Sequence, residues 1–222
     1  QGSCKAITAA RILVATGGHT FRPHETKGQE LGITSTDAFH LEKLPERVLI
    51  AGGGYIALEF AGIFAGLGSQ TTVVYRRDKV LRGFDEDLRD ALTHEYKQRG
   101  ISIVTGSTIE RIERSGSGLT VTLSDGASLQ TDCVMYATGR VPNVAGLGLE
   151  AAGVRVGANG GIAVDPQSRT SVPGIFAVGD VTNRVNLTPV AIREGHTFAD
   201  REFGPKATPF SYDMIPTAVF TT

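Results

Sequence analysis

Val48-Leu49-Ile50-Ala51-Gly52-Gly53-Gly54-Tyr55-Ile56-Ala57-Leu58-Glu59 is the stretch on which the fold turns. Four apolar residues with no polar alternation read as a strand buried on both faces. They run into Gly52-x-Gly54-x-x-Ala57 and then into residues 55–67, apolar nearly all round, a buried helix with Gly68 at its C-terminal cap. Alone, such a glycine pattern is weak; between a strand and a helix it reads as a dinucleotide-binding turn. The first glycine permits the tight turn, the second leaves room for a pyrophosphate, and the small Ala57 lets helix and strand approach. The helix start offers N–H groups and a partial positive charge to an anion. The competing reading is a glycine-rich turn with no ligand.

Outward from this stretch the pattern continues. Residues 71–75 form a β-branched strand, residues 85–99 repeat Leu88, Leu92 and Tyr96 at helical spacing before Gly100, and residues 101–104 form a third strand. Strand, helix, strand, helix, strand over 47–104 predicts an α/β fold with a doubly wound parallel sheet of Rossmann type. The style then changes. Short alternating strands at 108–113, 119–123 and 128–131, punctuated by Ser115-Gly116-Ser117-Gly118 and Asp125-Gly126, predict an antiparallel β-meander. Residues 133–137 are an apolar strand leaving through Thr138-Gly139-Arg140. The run at 10–16 leaves through Ala15-Thr16-Gly17-Gly18, and residues 175–178 leave through Gly179-Asp180. The echo points to two sheets with similar strand exits. Thr188-Pro189 reads as a hydroxyl cap and a first-turn proline, opening a helix that runs to about Phe203.

The second strand decides the coenzyme. Sheets that bind NAD place Asp or Glu near its end, roughly 20 residues after the glycines, to hold the ribose diol. Tyr75-Arg76-Arg77 stands there instead, with Arg82 a few residues on and Asp78 later in the turn. Guanidinium forks match phosphate oxygens, so the expectation is NADP rather than NAD; the bland alternative is a solvated surface turn. Glu59 lies in an otherwise apolar helical stretch and either faces water or has its partner outside this sequence. Asp180, after a buried strand, is placed to bind sugar-like hydroxyls or merely forms a turn. His19, His24, His40, His94 and His196 have neither metal nor triad spacing and read as surface or structural.

The composition fits a globular protein: 222 residues, 41% hydrophobic, 20% charged and a formal net charge of -1. That balance argues against nucleic acid or an acidic membrane as partner, and no apolar run approaches a membrane span. Glycine, 28 of 222, stands well above a usual ~7% and marks many tight turns. Cys4 and Cys133 make neither a disulfide framework nor a metal pair, so a cytoplasmic setting is the default. Gln1 opens without methionine and Thr222 follows directly on Ala218-Val219-Phe220-Thr221, which reads as a piece of a longer polypeptide.

Taken together, 15–18, 52–59, 75–85, 137–143, 177–180 and 187–191 resemble the flavin-dependent pyridine nucleotide–disulfide oxidoreductases over essentially the whole chain, and are most similar to members of bacterial and plant type that reduce glutathione disulfide with NADPH. The resemblance implies a chain divided into the end of a first FAD-domain segment (1–17), an NADPH-binding domain (18–142), a second FAD-domain segment (143–213) and the start of a dimer-interface domain (214–222). It implies that Gly52, Gly53, Gly54, Tyr55, Ile56, Ala57 and Glu59 line the NADPH site, that Arg76, Arg77 and Arg82 hold the 2′-phosphate, and that Gly139 and Arg140 lie beside the nucleotide. FAD would meet Thr16, Gly17, Arg140, Gly179, Asp180, Leu187, Thr188 and Pro189. Tyr55 would be the ring that covers the flavin, and Glu59 would pair with a lysine of the FAD domain. The parent enzyme would be a homodimer. The family's Cys-x-x-x-x-Cys redox pair and His-Glu acid–base pair do not occur in this sequence, so the expectation is an NADPH-binding portion of such an enzyme. The alternatives are a reductase of another acceptor (trypanothione, lipoamide, mercuric ion) or a non-catalytic nucleotide-binding module.

Overall fold

The computed structural model describes residues 5–205 and 210–221; Cys4, Gln1 and Thr222 lie outside them. In chain order the elements are β1 (Ile12–Val14), β2 (Gly18–Thr20), β3 (Ile33–Thr34), the single-turn α1 (Ser35–Ala38), β4 (Arg47–Ala51), α2 (Tyr55–Gly66), β5 (Gln70–Tyr75), α3 (Glu86–Gln98), β6 (Ser102–Thr105), β7 (Ile109–Ser115), β8 (Gly118–Leu123), β9 (Ser128–Thr131), β10 (Cys133–Tyr136), β11 (Arg140–Pro142), β12 (Ile175–Ala177) and α4 (Thr188–Phe203). They form two compact units. One comprises Gln1–His19 and Arg140–Ile215, the other Thr20–Gly139 and Pro216–Thr222.

The larger unit is built on a five-stranded sheet of order β3-β10-β4-β5-β6, parallel throughout. Successive side chains on a strand point to opposite faces, and here each face has its own layer. Val48, Ile50, Cys133 and Met135 pack with α2 and with Tyr96 of α3, whereas Leu49, Ala51, Val134 and Tyr136 pack against Ile112, Val121 and Leu123 of the meander β7-β8-β9. A strand covered on both sides has no polar positions, which is why residues 48–51 read as an unbroken apolar run. The predicted α/β parallel sheet and antiparallel meander are present, with α2 and α3 on one face of the sheet and the meander on the other.

Two helical expectations need correction. The predicted all-round burial of residues 55–67 is not observed, because Ile63 is 49% and Leu67 64% exposed. Ala57, Leu58, Ala61 and Phe64 take the sheet-facing side, while on the far side Ile63 and Leu67 stay exposed and Glu59 meets the Phe220 N–H. On α3, Tyr96 is buried and its hydroxyl donates to the Leu58 carbonyl at 2.8 Å, but Leu88 is 60% exposed. Two steps of four residues turn a helix about 80° beyond two full turns, and this carries Leu88 off the packed stripe.

At the N-terminal edge of the sheet, Arg47 holds Asp132 with its backbone N–H (2.9 Å), Nε (3.2 Å) and an Nη (2.6 Å). The side-chain hydrogen bond from Arg47 keeps the Asp132 carboxyl below its usual value. A depressed carboxylate contributes stability above its unfolded value of ~3.9 and loses it as pH falls through the folded value. Asp132→Asn should therefore lower the melting midpoint by roughly a few degrees at neutral pH, with the gap to the unsubstituted protein closing below about pH 4. Parallel melts from pH 3 to pH 7 check this; a gap that stays constant would refute the ionic contribution.

In the smaller unit, β1 pairs in parallel with β12 and β2 pairs with β11. Phe176, Val178 and Phe198 form one core cluster, and Leu149, Val154, Ile162, Ala177 and Val181 another. Helix α4 reaches Phe203 as predicted, but Thr188 is not its cap. Leu187 occupies the cap position in extended conformation, its carbonyl accepting from Ala191 N–H at 3.0 Å, and no side chain caps the helix.

Candidate functional site

Gly52 and Ala137 leave the sheet side by side, because β10 lies against β4 and Ala137 N–H donates to the Ala51 carbonyl at 2.8 Å. From β4 the order runs outward through β5 and β6 on one side and through β10 and β3 on the other. A crevice at the carboxyl ends of the strands, where the order diverges, is where α/β sheets bind ligands. A cavity of about 970 Å³ opens there, wholly within the larger unit.

One wall is the glycine turn. Gly52 has φ of 140°, and a Cβ on it would land on the Ala137 carbonyl oxygen. A Cβ on Gly53 would strike the Tyr75 ring. Gly54 differs: a Cβ there would meet no protein atom within 4 Å and would project into open space at the start of α2. The fold therefore demands glycine at 52 and 53, while at 54 the vacant space suits a ligand that packs against bare backbone. No side-chain oxygen caps α2 and no acidic residue stands in its first turn, so its positive end is not neutralised by a neighbouring carboxylate.

The second wall is cationic. Arg76, Arg77 and Arg82 line the cavity, all three are exposed, and none belongs to an ion pair among the described residues. Glu86 and Asp90 are engaged with Lys79 at 3.2 and 2.7 Å, and Glu86 also with Arg89, while Glu25 and Glu110 share the cavity lining. Three unpaired guanidinium groups beside a glycine turn and a bare helix start could hold a dinucleotide with an additional phosphate. These residues fit NADP(H).

Gly139 also lines the cavity, and its carbonyl accepts from Phe21 N–H at 2.9 Å. Phe21, Thr138, Lys27 and Arg111 share the lining, and sequence reading missed all four. The 21–27 loop has no periodicity; topology brings it in through the Thr138 hydroxyl, which donates to the Phe21 carbonyl at 2.6 Å. Only the adjacency of Thr138 to Gly139 could have signalled it. Tyr55, Ile56, Ala57 and Glu59 lie on α2 outside this lining. Ala57 is fully buried against the sheet. Glu59 Oε1 accepts the Phe220 N–H at 3.0 Å, so among the described residues its partner is a backbone amide.

The remaining candidates lie in the smaller unit. Arg140 reaches the Gly18 carbonyl, and its Nε is 3.4 Å from Asp180. Asp180 sits in the 3-10 turn Gly179–Thr182 that follows β12. The Thr16 hydroxyl donates to the Asn143 carbonyl at 2.8 Å, and a Cβ on Gly17 would meet no atom within 4 Å. Leu187, Thr188 and Pro189 form the uncapped start of α4, without an acidic residue in the first turn. A carboxylate for hydroxyls, an open glycine and a bare helix start suit part of a site for a polyol and an electron-rich ring, as FAD presents. Cys133 is buried, its thiol pushed up to about 11 by burial, and takes no part in either site. No group of three or more potential metal ligands occurs among the described residues, and no helix there is long and apolar enough to cross a membrane.

Comparison with known proteins places the chain in a family. The family model described as pyridine nucleotide-disulphide oxidoreductase matches residues 1–195. Glutathione reductase of Burkholderia cepacia is 51% identical over 216 residues, covering 97% of this chain and 48% of its own. The chloroplastic/mitochondrial glutathione reductase of Pisum sativum is 46% identical over 218 residues, 98% of this chain and 39% of that one. Among solved structures, the HOCl-induced flavoprotein disulfide reductase RclA from Escherichia coli superposes with a TM-score of 0.83 at 30% identity, covering 90% of this chain and 46% of its own. The chain thus spans half or less of the length of these relatives.

Proposed function

The chain belongs to the pyridine nucleotide-disulphide oxidoreductase family, and from that premise we propose that it is the NADPH-binding portion, with part of the FAD-binding portion, of a reductase of glutathione disulfide. The observation that carries the coenzyme is the trio Arg76, Arg77 and Arg82, unpaired beside Gly54 and the uncapped start of α2. The acceptor rests on the names of the relatives at 51% and 46% identity. Hydride and electron chemistry are supplied by the pyridine nucleotide and the flavin when bound. The chain's own residues bind and orient. Arg76 and Arg82 hold the 2′-phosphate, with Arg77 beside them; Gly54 and the α2 N–H groups hold the pyrophosphate; Asp180 accepts from ribityl hydroxyls; and the start of α4 favours negative charge on the ring beside Thr188. Tyr55 and Glu59 keep the supporting roles that the resemblance implies. In this reading, residues 18–142 are the NADPH domain, 1–17 and 143–213 are segments of the FAD domain, and 214–222 begin an interface domain of a cytoplasmic homodimer.

The test is a titration of the purified chain with NADPH and with NADH, followed by NADPH-dependent reduction of glutathione disulfide by the full-length protein. NADPH should bind at least tenfold more tightly, about the worth of one charge-assisted contact. A preference for NADH would remove the phosphate clamp. Clear NADPH selectivity without glutathione disulfide turnover would leave the coenzyme and remove the acceptor.

A further inference from the structure

Glu194 is 2% exposed, yet none of the roles above uses it. It stands on the second turn of α4, where an unsatisfied carboxylate would be costly. Its oxygens are filled from three segments. Oε2 accepts the Gly179 N–H at 2.5 Å, while Oε1 accepts Arg184 Nη2 at 3.1 Å and the Tyr212 hydroxyl at 2.5 Å. The partners also hold one another. Arg184 lies 4.7 Å from the centre of the Tyr212 ring and donates through Nε to the Thr182 hydroxyl at 3.3 Å, which itself donates to the Gly179 carbonyl at 2.8 Å. Burial and the bond to Glu194 both raise the Tyr212 phenol, so it remains a donor at neutral pH.

This ring of contacts ties together the turn that carries Asp180, the helix whose start carries Thr188, and the segment that carries Tyr212. We propose that Glu194 is a positioning residue for the flavin half-site: its carboxylate fixes the Gly179–Thr182 turn against α4, so that Asp180 and the helix start are held at a set spacing, and Tyr212 latches the carboxylate in place. The inference rests on the flavin reading above. It assigns the fit of the cofactor to a residue that does not touch it.

Two measurements decide it. In the chain itself, amide hydrogen exchange of a peptide spanning 178–183 should quicken on the order of tenfold in Glu194→Gln, which loses the charge-assisted bond, and by less in Tyr212→Phe. Unchanged exchange in both variants overturns the clamp. In the full-length protein loaded with FAD, the rate of flavin release should rise on a similar scale, while NADPH affinity stays the same. Glu202→Gln, which loses the ion pair of the same helix with Arg11, is the control: it should lower the melting midpoint without quickening exchange at 178–183 or flavin release. If Glu202→Gln releases flavin as fast as Glu194→Gln at equal loss of melting temperature, the role is merely structural and the proposal fails. If the unsubstituted full-length protein holds no FAD, the flavin reading fails, and the exchange measurement alone decides the clamp.

Discussion

Replacing Arg76 and Arg82 together with alanine should weaken NADPH binding about a hundredfold and leave NADH binding within about twofold. A hydrogen bond from a charged group is worth about 1.5–3 kcal/mol. Both side chains are exposed, so solvent and salt screen them, and the lower end applies to each. Two such losses sum to about 3 kcal/mol. NADH lacks the phosphate these groups would hold, so its affinity has little to lose. The loss should shrink as ionic strength rises, because exposed charges are screened beyond about 10 Å at 0.1 M salt. Isothermal titration at low and high salt checks both statements, and equal weakening of the two coenzymes would show that the arginines act on something other than the extra phosphate.

The second large effect separates two neighbouring glycines. Gly52→Ala should destabilise the larger unit by roughly 2–6 kcal/mol: about 1–3 for a backbone region that alanine rarely adopts, with a further 1–3 from forcing the Ala137 backbone aside. Most of the protein would then melt near working temperature. Gly54→Ala has no such conflict, because its Cβ finds open space and its φ of -87° is ordinary. That variant should melt within a degree or two of the parent, yet bind NADPH at least tenfold more weakly, since the methyl would occupy the place proposed for the pyrophosphate. Melting curves with and without coenzyme settle the pair. A Gly54→Ala protein that binds normally would show that the turn does not face the ligand.

Legibility in the sequence followed the range of the interactions. The β4–α2–β5 unit is local: its buried strand, glycine turn, helix and second strand lie within about thirty residues, and their order is legible without distant chain. The meander was legible from its turn residues. What escaped depends on distant chain. The partner of Glu59 is Phe220, and the wall supplied by Phe21 and Thr138 is closed by a bond between residues more than a hundred positions apart. Glu194 was silent because a glutamate on an amphipathic helix reads as a solvated residue until Arg184 and Tyr212 are seen to enclose it. Thr188 misled for a subtler reason. A hydroxyl before proline matches the capping pattern, yet the preceding Leu187 carbonyl already accepts the first helical bond and shifts the start by one residue.

The parallel pairing of β1 with β12 carries a cost in time. Ile175, the partner of Ile12, is made about 160 residues after it. At translation speeds of 5–20 residues per second, β1 waits roughly ten to thirty seconds for β12. All strands of the five-stranded sheet are synthesised during that wait, so that sheet can close before β1 meets its partner. A nascent chain stalled after Gly139 should therefore already protect the coenzyme cavity from protease while leaving β1 cleavable.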